Sequence, residues 1–158
     1  MILTLALAAA AAPTLAAPLA PMAPLVGHCW TAEVAAGQRD THCFEAMYNG
    51  HFVRDRHEVS GRGVSYKGET VYAVEGTPAR VAYTYWSSDG ETTRGTMRGD
   101  GKRLDFGETV TRDAAGHEVR FGVEWALADG SYDARWISPD PRYSRSMHYV
   151  RNDPATGK

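Results

Sequence analysis

From Leu25 onward, apolar and polar side chains alternate with a period of two, and no stretch of useful length repeats its apolar residues at helical spacing. Turn signals interrupt the alternation at short intervals: Gly37-Gln38, Asn49-Gly50, Ser60-Gly61, Asp89-Gly90, Asp100-Gly101, Ala115-Gly116, Asp129-Gly130 and Pro139-Asp140-Pro141. Three of these are Asp-Gly, the strongest short hairpin signal. The pattern predicts an all-β chain, an antiparallel up-and-down meander of about eight to ten strands. Its shared apolar face is expected to close into a barrel, because closure removes the exposed edges of a long sheet.

A two-residue hairpin fixes register, so the faces can be worked out residue by residue. A tight turn at Asp89-Gly90 sets Trp86 against Thr93 and Ala82 against Met97, and one at Asp100-Gly101 sets Met97 against Leu104. The expected inner face is then Ala82, Thr84, Trp86, Gly95, Met97, Leu104 and Phe106. Arg94, Arg98, Arg103 and Asp105 face water, and Tyr83 and Tyr85 join these arginines in an outer patch suited to carbohydrate or a partner. In the hairpin at Asp129-Gly130, Phe121, Val123, Trp125 and Leu127 point inward with Tyr132, Ala134 and Trp136, while Glu124 meets Arg135 outside.

The first hairpin carries both cysteines of the chain, each preceded by a histidine. Centred on Ala36, it aligns Cys29 with Cys43 and Trp30 with His42, with His28, Trp30, His42 and Phe44 inside and the cysteines outside. Directly opposed strand residues lie about 4.5–5.5 Å apart at Cα, within reach of a disulfide. A zinc centre of two Cys and two His needs all four side chains to converge, which alternation forbids. A Cys29–Cys43 disulfide is therefore expected, with reduced thiols as the alternative. His28 and His42 become diagonal neighbours on the inner face, close enough to share a ligand; otherwise each is a core or rim histidine bonded to a hydroxyl or carbonyl.

The first 24 residues change the picture of where the protein works. They carry no charge and ten alanines. The apolar run is too short and too often broken by proline to span a bilayer, which takes about 20 apolar residues. It suits a secretory leader cleaved after Ala16, although no Lys or Arg follows Met1. The expected organisation is a signal peptide over 1–16, an Ala/Pro-rich linker over 17–24, a barrel over 25–151 and a flexible tail over 152–158. Export to the periplasm or the extracellular space fits a disulfide. A net charge of -2, with basic residues scattered among acids, gives no reason to expect nucleic acid.

Candidate chemistry is sparse. The sequence has no Gly-x-Ser-x-Gly elbow, phosphate loop or His-Glu-x-x-His pair. Asp55 and His57, two apart in RDRHEV, share a face and would suit an Asp-oriented general base; the alternative is a charged strand segment held in water by Arg54 and Arg56.

The opening PLVGHCW resembles the start of the calycin group, the lipocalin-like and fatty-acid-binding-like barrels with nitrobindin-type haem barrels as relatives. Such a resemblance implies that Trp30 plugs one end and that Arg145 or Arg151 of the last strand packs over it. Gly27 and Trp30 stand one residue further apart than the family's Gly-x-Trp. A nitrobindin-like haem ligand would fall on His148. The chain is also similar to secreted bacterial proteins with a PLxGxCW start and a YW-S-x-G hairpin, here Tyr85 to Gly90, a likeness that brings no activity with it.

The resulting functional expectation is an exported barrel that takes a small, largely apolar ligand in its interior. Trp30, Phe44, Trp86, Trp125 and Trp136 would line the ligand, with His28 and His42 as polar contacts and no metal. The alternatives are a non-catalytic structural or interaction protein of the cell envelope, and a barrel enzyme using an Asp/His pair.

Overall fold

The computed structural model describes residues 14–153. Most of the expected leader and the end of the expected tail lie outside the described residues. Ten strands follow in chain order: β1 Cys29–Ala35, β2 Gln38–Met47, β3 Phe52–Gly61, β4 Val64–Glu75, β5 Arg80–Ser87, β6 Thr92–Gly99, β7 Arg103–Arg112, β8 Glu118–Ala128, β9 Ser131–Ile137 and β10 Arg145–Arg151. Each pairs antiparallel with its sequence neighbour, and β10 pairs β1 through Trp30 opposite Arg151, so the meander closes into a barrel. The all-β up-and-down barrel expected from the alternation is the observed fold.

The first hairpin has the expected register, with Cys29 opposite Cys43 and Trp30 opposite His42. The two cysteines are joined in a disulfide with their Cα atoms 4.1 Å apart. Glu124 lies opposite Arg135, also as expected. The register between β5 and β6 differs by one residue, with Trp86 opposite Thr92 and Tyr85 opposite Thr93. The connection there is not a two-residue turn but a wider loop. The Ser87 hydroxyl holds it by accepting from the amides of Asp89 and Glu91. A one-residue slip turns every side chain over. Val81, Tyr83 and Tyr85 therefore point into the barrel, and Trp86, expected inside, stands on the outer face with 47% of its surface exposed.

One end of the barrel is plugged. The segment Ala17–Met22, read from sequence as part of a linker, is a 3-10 helix that fully buries Leu19 and Met22. Beside it Trp30 donates its indole N–H to Leu25 O at 3.2 Å, and the Arg151 guanidinium lies 5.2 Å from the Trp30 ring centroid. The tryptophan and arginine pairing implied by the resemblance is thus present, with Arg151 as the partner. The first tail residues are held in place, since Asn152 N–H donates to Cys29 O and Asp153 accepts from the amide of Cys29.

Above the plug the interior is a column of packed rings. Trp30 meets Tyr132, Tyr132 stacks on Tyr149 at 4.5 Å and meets Trp125 in a tilted contact at 5.1 Å, and Trp125 meets Phe106 at 4.7 Å. Phe44 packs edge-on against Trp125. The outer face carries cross-strand ion pairs such as Arg54–Glu45, Arg120–Glu108 and Lys67–Glu58. Among the described residues no helix is long and apolar enough to cross a membrane.

Candidate functional site

At the end opposite the plug, the inner face changes from apolar to polar. Strand β2 contributes Asp40 and His42, β3 contributes Asp55 and His57, and β10 contributes Tyr149, all facing inward by alternation. His42 lies directly opposite His57, and their rings stack with centroids 4.3 Å apart. The carboxylates reach across the ladder diagonally. His42 Nδ1 lies 2.7 Å from Asp55 Oδ2, and His57 Nε2 lies 2.7 Å from Asp40 Oδ1. Asp55 and His57, neighbours in sequence on one face, are thus not partners; each serves a residue of the next strand.

Both acids are deeply buried, Asp40 at 5% and Asp55 at 2% exposure, and among the described residues neither pairs with a Lys or Arg. Burial of unpaired charge is costly, so their neighbours matter. Burial alone would raise Asp40, but the adjacent imidazoles of His42 and His57 outweigh it and hold the carboxyl well below the usual range. For His42 burial opposes the charged form, yet Asp55 and Asp40 together overcome it and raise the ring to about 10. Tyr149 donates its hydroxyl to Asp40 Oδ2 at 2.8 Å, and burial beside that carboxylate keeps the phenol protonated.

A second tier of hydroxyls lies above the cluster. Tyr85 OH is 3.5 Å from His57 Nδ1 and is bonded to Tyr66 OH, which donates to Glu91 Oε2 at 3.3 Å. Space for Tyr85 exists because Gly68 sits beside it: a Cβ there would come within 2.3 Å of the tyrosine ring. Around the same rim, Val119, Phe121, Trp136 and Met147 are half-buried and face inward. The arrangement is a polar floor under a mixed aromatic and apolar mouth.

The residues expected to line a ligand are distributed differently. Trp30, Phe44 and Trp125 belong to the packed column, and Trp136 stands at the mouth with the Arg145 guanidinium 4.4 Å from its ring centroid. His42 is in the cluster, but His28 is at the plugged end, bonded to Asp153 at 3.0 Å. The expected pairing of His28 with His42 therefore does not occur, because His28 precedes β1 and turns away at the barrel's edge. Tyr83 and Tyr85 are inside rather than in an outer patch. His148 lies outside the barrel beside Asp133 at 2.7 Å, so a haem ligand at that position would not face the interior.

Asp40, Tyr66 and Tyr149 were missed as site residues, whereas His57 was read as a partner of Asp55 and Tyr85 as part of an outer patch. A signal for the central pair was available. A turn centred between Asn49 and Gly50 sets His42 against His57, and the observed connection, from Met47 opposite Phe52, is centred there. No sequence signal marks Tyr149, which comes from the far end of the chain. The chain matches no protein-family model and no curated protein, so the reading of this site rests on its geometry.

Proposed function

We propose that the protein is an exported binding barrel that takes a small molecule at its open mouth. The observation that carries this reading is the group of buried polar atoms on the floor of that mouth that lack a well-directed hydrogen bond: Asp40 Oδ1 and His57 Nε2, which meet each other only as an ion pair, and Asp55 Oδ1. Unpartnered buried polar groups are costly, and a bound group would satisfy them. The packed column beneath leaves the mouth, not the barrel centre, as the place for a ligand. Phe121, Trp136 and Met147 would hold its apolar body, and Tyr66, Tyr85 and His57 its polar head. Export is supported by the uncharged leader together with the disulfide, and the ion-paired outer face suits water rather than lipid.

Tryptophan fluorescence titration with fatty acids, haem and aromatic acids at two pH values tests the reading. Trp136 stands in the mouth, so a bound ligand changes wild-type emission, and Trp136→Phe removes most of the change. A ligand response that survives Trp136→Phe but is lost in Trp86→Phe would place binding on the outer face and refute the proposal.

A further inference from the structure

The polar floor has an arrangement that hydrogen bonding alone does not explain. His57 Nε2 and Asp40 Oδ1 lie 2.7 Å apart, yet the ring N–H direction does not point at the oxygen, and both atoms are buried without a hydrogen-bond partner. The third atom facing them is His42 Nε2, 3.6 Å from the same Asp40 oxygen. One ligand atom from each of the three residues falls within 4.8 Å of the others. A tetrahedral ion with bonds near 2.0–2.2 Å holds its ligand atoms about 3.4 Å apart, and the two separations to Asp40 Oδ1 bracket that value.

The outer atoms of the same three residues are all occupied. Asp55 Oδ2 accepts from His42 Nδ1 at 2.7 Å, and Tyr149 OH donates to Asp40 Oδ2 at 2.8 Å. On the third side, Tyr66 donates to Glu91, so its oxygen accepts from Tyr85, and the Tyr85 oxygen is left to accept from His57 Nδ1. With its proton on Nδ1, a neutral His57 would offer the Nε2 lone pair to a cation. Nε2 lies 2.7 Å from Asp40 Oδ1 without a well-directed hydrogen bond, and a cation bound to both atoms would satisfy the two. An imidazole whose second nitrogen is bonded to a carboxylate or another acceptor is the usual support for a metal-ligating histidine.

We propose that Asp40, His42 and His57 form a site for one divalent transition-metal ion of the zinc class, bound through Asp40 Oδ1, His42 Nε2 and His57 Nε2. The inference rests on the reading of the open mouth as the binding end and names what its floor holds. Two imidazoles and one carboxylate are a donor set suited to zinc and its neighbours rather than to calcium or magnesium. The ion compensates two buried carboxylates that, among the described residues, pair with histidines but with no Lys or Arg. Binding displaces protons, the one on His42 Nε2 among them. Three protein ligands leave a further position open, and the histidine side chains retain 12% and 15% exposure, so water or a donor atom of a small molecule can reach it.

The test uses the folded, disulfide-bonded protein, stripped with chelator and titrated with Zn²⁺ and Co²⁺. The expected result is one equivalent bound per chain, a tetrahedral or five-coordinate Co²⁺ spectrum, and a Zn²⁺-dependent rise in melting temperature. His57→Gln abolishes all three. Asp55→Asn, which touches only the outer nitrogen of His42, weakens Zn²⁺ by about 10–100-fold. His148→Gln and His28→Gln, at two His–Asp contacts away from the mouth, leave binding unchanged. Should either variant fold poorly, the wild-type stoichiometry and Co²⁺ spectrum decide alone. An octahedral, weak Co²⁺ spectrum, or Zn²⁺ binding lost in His148→Gln, overturns the proposal. If no metal binds but an organic ligand still perturbs Trp136, only the metal assignment fails; if neither binds, the mouth is not a binding site.

Discussion

Among single residues, Trp125 and His42 show what the interior depends on. Trp125 touches Phe44, Phe106, Tyr132 and His42, so Trp125→Ala is expected to cost about 3–5 kcal/mol in denaturant unfolding, against under about 1 kcal/mol for Arg135→Ala on the outer face. Comparable losses would mean that the face assignment is wrong. The charge on His42 gives the metal-free protein a pH signature. Its facing groups are Asp40, Asp55, His57 and Tyr149, and the net effect raises its proton affinity on folding. A raised value stabilises the fold fully below the unfolded value near pH 6.5, and the gain is lost as pH climbs towards about 10. Asp40 behaves in the opposite sense: its depressed value stabilises the fold above about pH 3.9, and that gain is lost on further acidification. Unfolding free energies of chelated protein at pH 6 and pH 9 should therefore differ, with the lower pH more stable, and Asp55→Asn should flatten the difference. A wild-type profile that is flat or rises over this range contradicts the assigned contacts.

Among the elements, the hairpins divide into those whose register was legible and those where it was not. The first hairpin follows from two cysteines and one turn, because no other register brings Cys29 and Cys43 together on the outer face. Between β5 and β6 the Asp89-Gly90 signal was genuine but lay inside a wider loop, and the side-chain hydroxyl of Ser87 that sets its width has no periodic signature. That single residue of slip exchanged Trp86 for Tyr85 at the mouth. The disulfide closes a loop with a sequence separation of 14, so its reduction should lower stability by about 3 kcal/mol, read as a shifted denaturant midpoint with and without reductant. On β4, Gly68→Ala drives a methyl into the Tyr85 ring and should cost about 1–3 kcal/mol. By moving Tyr85 away from His57 it should also weaken Zn²⁺ binding, whereas Gly130→Ala, remote at the plugged end, should affect stability alone.

At the scale of the whole molecule, closure turns a simple alternating chain into two unlike ends. The plug formed by Ala17–Met22 and Trp30 was half legible: the tryptophan and its late arginine came with the family likeness, whereas Leu19 and Met22 sit in an Ala/Pro-rich stretch with no strand or helix period. The polar floor draws on β2, β3 and β10, and only closure brings Tyr149 to Asp40 across 109 residues of sequence. Alternation assigns a residue to a face only within a strand, and His28, which precedes β1, turns outward to Asp153 although the hairpin register sets it beside His42. If cleavage follows Ala16, the mature protein begins at Ala17, at the start of the plugging helix, and intact mass of envelope protein before and after reduction should show that N-terminus with one disulfide. The most direct measurement is native mass spectrometry of the protein, purified from its own host without chelator, beside the Asp40→Asn, His57→Gln variant. Binding at the mouth predicts a non-covalent mass excess on the wild type that the variant lacks; an excess that the variant retains, or a bare chain in both, would contradict it.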